Sequence, residues 1–193
     1  HVDSPMAEAA TRLTLKHLNL LDSETRNLIE WQRRHPESPA IRFVQEIEES
    51  MALNEIEAGA VIIAASGMCD AGRIKHHLRH NLPRKQSSVI ITGFQAAGTL
   101  GRRLVDGARW VRIFGEEVPV KADIHTIGGL SAHADKKALL GWLTQFRQPP
   151  DQCFIVHGEA ATAEAFAGDV RGLGWSEVVV PKHGDTREIG WRQ

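Results

Sequence analysis

Two cysteines in 193 residues, Cys69 and Cys153, cannot build a disulfide framework. A reducing, cytoplasmic location is therefore expected. No apolar stretch approaches the length of a membrane span, so no membrane partner is expected. The longest such run, 60–65 (AVIIAA), has the length of a buried strand. The start, His1-Val2-Asp3-Ser4-Pro5, lacks the basic and apolar regions of a signal peptide. It also lacks an initiating methionine, and the chain reads as a fragment. Internal repeats and low-complexity runs are missing. So are the Lys-Ser/Thr of a P-loop, the GxGxxG of a dinucleotide fold and a GxSxG elbow. A nucleotide-binding Rossmann-like domain is disfavoured on that ground.

Acidic residues are missing from one long segment. From Ala71 to Val105 there is no Asp or Glu, but seven basic residues: Arg73, Lys75, Arg79, Arg84, Lys85, Arg102 and Arg103. The other 16 basic residues face all 24 acidic ones, so the segment is +7 and the remainder −8. A basic face on a nearly neutral protein suggests a polyanion partner, with a merely solvated face as the alternative.

What is present alternates helices with short apolar runs. Ser4-Pro5 and Asp22-Ser23 open helices to about Leu18 and Arg34 by N-cap chemistry. Pro36 to Pro39 breaks the second. Strands are expected near Ile41–Val44, Ala60–Ala65, Ser88–Thr92, Trp110–Phe114, Cys153–Val156 and Glu177–Val180, with 118–127 extended. Further helices are expected to about Glu57, over Arg73–Leu82, Leu100–Asp106 and Glu159–Arg171, and up to Phe146. This predicts an α/β fold: a mostly parallel sheet covered by helices on both faces. Chemistry in such sheets gathers at the C-terminal strand ends. Here these are Ser66-Gly67, Gly93-Phe94-Gln95 and His157-Gly158.

His157 ends the strand CFIVH, where a histidine suits a metal ligand or a general base; a hydrogen-bonded structural histidine is the alternative. His133 stands beside two glycines and a helix start, placed to donate a proton to a leaving oxygen. Ser131 or Asp135 is expected to cap that helix. Ser131, His133 and Asp135 are too close in sequence to line up as a hydrolytic triad. Cys69, near a helix start, reads as a lowered-pKa thiol or as apolar filler. His76 and His80 are four apart, but His77 stands where a HExxH protease has Glu.

Five strings in order resemble the β-CASP branch of the metallo-β-lactamase superfamily. They are Asp3-Ser4-Pro5-Met6-Ala7; Ser66-Gly67-Met68 with Gly72-Arg73-Ile74; Gly93-Phe94-Gln95 with Gly98-Thr99-Leu100; residues 128–135 (GGLSAHAD); and Val156-His157-Gly158-Glu159. The likeness is closest to prokaryotic relatives of the nuclease subunit of the cleavage and polyadenylation factor. It implies a partial β-CASP domain over 1–121 and a C-terminal βαβ portion of a metallo-β-lactamase domain over 122–193. It also implies a zinc-dependent RNA phosphodiester hydrolase with two zinc ions in the parent protein. By the resemblance, His157 is a zinc ligand, and histidine at this position favours RNA over DNA. His133 lies beside the scissile phosphate. Ser66, Gly67, Met68, Gly72, Arg73, Gln95, Thr99 and Ser131 would bind RNA or phosphate. The expected partners are RNA, the missing N-terminal metallo-β-lactamase segment and, as an allowed assembly, a second copy. The His-x-His-x-Asp-His zinc motif is absent, so the fragment alone is expected to be inactive. A non-catalytic RNA-binding or regulatory module is the alternative.

Overall fold

Two residues of extended chain, β1 (Val2–Asp3), lead into helix α1 (Pro5–Lys16) in the computed structural model, which describes residues 1–36, 41–131 and 133–189. Ser4 caps α1, its Oγ accepting from the Ala7 amide at 3.3 Å, and Pro5 occupies the first turn, where a missing N–H costs nothing. Asp22 caps α2 (Ser23–Arg34) in the same way, from Thr25 N at 2.8 Å. Of the expected break at Pro36 to Pro39, residues 37–39 lie outside the described residues.

The first unit, His1–Ser131, continues with α3 (Ile47–Ala52), β2 (Ile63–Ala64), α4 (Ile74–Asn81), β3 (Ser88–Ile91) and α5 (Leu100–Val105). Then come β4 (Trp110–Ile113), β5 (Glu116–Pro119) and β6 (Asp123–Thr126). β1 pairs with β2 and β3 with β6, both parallel, while β4 and β5 form an antiparallel hairpin. The hairpin loop is two residues, Phe114 and Gly115, both at positive φ (52° and 84°). That sense of turn matches the right-handed twist of the strands. Leu78 and Leu82 at α4, Leu104 from α5, and Val111 and Ile113 from β4 are almost fully buried in one core. Each such side chain contributes about 1.5–3 kcal/mol by leaving water.

The second unit, Ala132–Gln193, holds α6 (Lys136–Leu143), β7 (Cys153–Phe154), α7 (Ala160–Gly172) and β8 (Val178–Val179). β7 and β8 pair in parallel, and Leu143, Ala167, Val170, Trp175 and Val178 make a separate core.

The chain is thus a mixed α/β protein, and three of its four ladders are parallel. Among the described residues, however, the ladders are separate and two-stranded. The run expected as a buried strand, Ala60–Ala65, is paired only at Ile63–Ala64, and Val61 and Ile63 are 72 % and 60 % exposed. Among the described residues its paired neighbour is the two-residue β1, and only Ile62 and Ala64 are half-buried. Likewise, Ile41–Val44 makes only a single bridge, Val2 to Phe43. The chain exposes 14633 Å², whereas two separate compact units of these sizes would expose about 11,000 Å². Val61 and Ile63 contribute to that excess.

Candidate functional site

The loop from Ser66 to Gly72 closes on itself. Ser66 N donates to Ala71 O, Cys69 N to Ser66 O, and Ile74 N back to Ala65 O. Gly72 has φ +75°, and a Cβ there would stand 2.7 Å from the Ala65 carbonyl oxygen, so only glycine fits. The turn docks onto the first backbone amides of α5. Leu100 N donates to Asp70 Oδ1 at 2.9 Å, Gly101 N to Met68 O at 3.1 Å, and Arg102 N to the Thr99 hydroxyl at 3.2 Å. The first amides of this short helix are consumed inside the chain, and Thr99 acts as its cap.

Gln95 joins the two strand-end loops. Its side chain is 5 % exposed, and Nε2 donates to the carbonyls of Gly67 (2.8 Å), Gly93 (3.1 Å) and Phe94 (3.0 Å). Its Oε1 is buried against Gly101, where a Cβ would lie 1.6 Å away. A side chain so enclosed holds the loops in place and leaves contact with a ligand to Gly67, Met68 and Phe94, which are exposed. Cys69, at φ +63°, is buried beneath this loop. Burial, with the neighbouring Asp70 charge, pushes its thiol up to about 11, which removes the low-pKa alternative.

Arg73 is committed elsewhere. Its Nη1 donates to Asp3 Oδ1 (2.6 Å) and Val44 O (3.2 Å), and Nη2 to Gln45 O (2.6 Å). Asp3 is itself buried and also meets Ser50 Oγ and His77 Nε2, each at 2.6 Å; His77 Nδ1 lies 2.8 Å from Asn54 Oδ1. Burial raises the Asp3 carboxyl pKa. Hydrogen bonds from Ser50, His77 and Arg73, with the arginine charge, outweigh it and hold the group below the usual carboxylate range. Sequence reasoning missed this network. Its one visible trace was an aspartate ahead of a cap, and its partners lie far along the chain.

The acid-free segment is correspondingly less basic than its composition. Arg73 pairs with Asp3, Arg79 with Glu116 and Arg102 with Asp106, while Arg84 donates to the carbonyls of Asn54 and Ile56. Every carboxylate partner lies outside 71–105. Lys75 sits 4.8 Å from the centre of the Phe114 ring, and the His76 ring lies tilted against the same ring at 4.6 Å.

In the second unit, Asp135 caps α6 by accepting from Ala138 N at 2.7 Å. His133, exposed, precedes that cap by two residues. Asp135, Lys136, Lys137 and Leu140 line an open depression of about 430 Å³ there. His157 lies just past β7, exposed and at φ +64°, a left-handed conformation uncommon outside glycine and asparagine. It precedes α7 as His133 precedes α6. Lys136 Nζ and Asp169 Oδ2 are 2.5 Å apart, which ties the start of α6 to the second half of α7. Ser131 is exposed at the end of a short 3-10 turn, Gly128–Leu130, in the first unit; Ala132 lies outside the described residues.

Among the described residues, no three His, Cys, Asp or Glu side chains converge closely enough to hold a metal. A zinc centre takes three or four protein ligands, so the described residues alone do not make a complete one.

The Beta-Casp domain family model matches residues 1–104, and that of the Zn-dependent metallo-hydrolase RNA specificity domain matches 117–181. Ribonuclease TTHA0252 of Thermus thermophilus is 36 % identical over 96 % of this chain and 42 % of its own length. Transcription termination factor FttA of Methanocaldococcus jannaschii is 29 % identical over 93 % of this chain and 29 % of its own. An RNase J-like protein of the same organism is 27 % identical over 89 % and 38 %. The chain therefore spans less than half the length of these relatives. With the Beta-Casp model covering more than half of its residues and the RNA specificity domain following it in order, the chain belongs to the β-CASP family of the metallo-β-lactamase superfamily.

Proposed function

We propose that this chain is the β-CASP and C-terminal part of a longer zinc-dependent ribonuclease that hydrolyses RNA phosphodiester bonds. The observation that carries the reading is the pair of exposed histidines, each two residues ahead of a helix cap in the unit that follows the β-CASP region. His157 supplies one ligand to a metal whose remaining ligands come from outside this chain. His133 faces the scissile phosphate and protonates the leaving oxygen. The Ser66–Gly72 turn and the Gly93–Phe94 loop, fixed to each other by Gln95, guide the strand, and Ser131 contributes at the phosphate. The β-CASP part runs to about residue 121. The short open ladders belong to a larger, mostly parallel sheet completed by the rest of the protein, and the uncovered apolar run at 60–65 supports this.

Incubating the full-length protein with zinc and a labelled single-stranded RNA tests the reading. Cleavage is expected, and it should disappear in His157→Ala. RNA that is bound by metal-loaded protein but left intact would replace this reading with that of a non-catalytic RNA-binding module.

A further inference from the structure

The outward face of the β4–β5 hairpin carries an arrangement that the cleavage site does not use. Along β4, Val111 and Ile113 enter the core while Trp110 and Arg112 face solvent. Two residues along a strand are about 7 Å apart, so the ring and the guanidinium stand side by side. With Arg103 from the α5 side and Glu117 from β5, they line a shallow, half-open depression of about 400 Å³. Trp110 is 58 % exposed. Arg112 has only a distant carboxylate, Glu117 at 3.9 Å. None pairs with Arg103 among the described residues, in contrast to neighbouring Arg102, which Asp106 holds. Within the acid-free segment, Arg84 is held by backbone carbonyls, and Arg103, with no carboxylate among the described residues, flanks an exposed tryptophan.

We infer that this depression is an accessory contact for single-stranded RNA, in which a base stacks on Trp110 and the flanking phosphates meet Arg103 and Arg112. The inference rests on the RNA-cleaving reading above and adds a second point of attachment to it. Bases of any sequence have a face to stack, so the contact is tolerant of sequence. Two guanidinium groups around one ring match a nucleotide with its two phosphates; one carboxylate at the rim is too little to attract a basic peptide instead. Such a site lengthens the footprint of the substrate and acts on binding, not on the chemical step.

The test uses the full-length protein with fluorescently labelled oligouridylates. With an RNA of about twenty nucleotides, longer than a single binding fold covers, Trp110→Ala should weaken binding roughly 5- to 100-fold, the range for one lost stacked base. Trp110→Phe should restore most of it. Arg103→Ala should lower the slope of log Kd against log salt by about 0.7, one phosphate contact on a single strand. On the long RNA, KM should rise with kcat unchanged, and a substrate too short to reach the hairpin should be cut normally. Arg103→Glu, which replaces an exposed side chain, keeps the test valid should Trp110→Ala fail to fold. Equal Kd and equal salt slope in folded Trp110→Ala, Arg103→Ala and Arg103→Glu would overturn the inference while leaving the RNA reading intact. So would a change confined to oligomeric state, which would make the face a protein contact. A wild-type protein that neither binds nor cuts RNA would overturn both.

Discussion

Asp3 and His77 stand 74 residues apart in sequence, and their Oδ2 and Nε2 atoms are 2.6 Å apart in a buried contact. Through it the first strand is fastened to α4. Ser50 extends the same knot to α3, and Asn54 to the 3-10 turn after it. Arg73 closes it from the head of α4 and reaches the backbone at Val44 and Gln45. Removing one partner of such a group leaves the others buried without compensation. Asp3→Asn is therefore expected to cost on the order of 3 kcal/mol, whereas Glu48→Gln on the exposed side of α3 should be nearly neutral. Urea unfolding of the purified protein measures both, and equal midpoints would refute the assignment.

The same carboxylate sets an acid limit. Its folded pKa lies below its ordinary value, so its contribution is fully present above the ordinary carboxylate pKa of about 4. It is lost as pH falls from there through the lower folded value. The stability gap between wild type and Asp3→Asn should hold steady above about pH 4 and narrow below it. A gap that stays constant down to pH 2–3 would show that Asp3 contributes nothing through its charge.

Gly101 gives a prediction of unusual sign. Replacing glycine by alanine inside a helix ordinarily gains about 0.5–1 kcal/mol. Here the new Cβ would fall 1.6 Å from Gln95 Oε1 and 3.2 Å from Met68 O. Gln95 would have to withdraw, and three loop carbonyls would lose its amide. Gly101→Ala is expected to destabilise by about 1–3 kcal/mol. In a Gln95→Ala background the same change should cost much less, because the obstacle is gone. An additive double-mutant cycle would contradict the clamp.

These contacts mark what the sequence could and could not disclose. Caps at Ser4, Asp22 and Asp135 were readable, since a short polar side chain before a helical stretch is a local signal. Most helices fell within a residue or two of expectation for the same reason. Periodicity does not report what covers an apolar run: 60–65, read as a buried strand from its length and apolar character, leaves Val61 and Ile63 exposed. Nor does the charge of a segment report the charge of a surface: Asp3, Glu116 and Asp106 neutralise arginines from positions outside it. His133 and His157 were legible as strings. The structural contacts of half-buried Arg73 and buried Gln95 were not, because their partners are carbonyls and a carboxylate brought together only by folding.

The two histidines should fail differently in the full-length protein. His157 lies just past β7 in a left-handed conformation, and its proposed partner is a metal. His157→Ala should lower bound zinc, measured by elemental analysis, and activity should fall with it. Asparagine tolerates the same backbone conformation, so His157→Asn separates loss of the ligand from loss of the turn: zinc should still drop while folding is kept. His133, two residues before the Asp135 cap, is proposed to act on the phosphate side. His133→Ala should leave zinc content near that of wild type and slow single-turnover cleavage by roughly 10²–10⁴-fold, the range for losing a proton donor. RNA binding should survive both changes, because the loops joined by Gln95 and the β4 face lie in the other unit. Zinc retained in His157→Ala, or lost in His133→Ala, would exchange or remove the roles assigned to them while leaving membership of the family untouched.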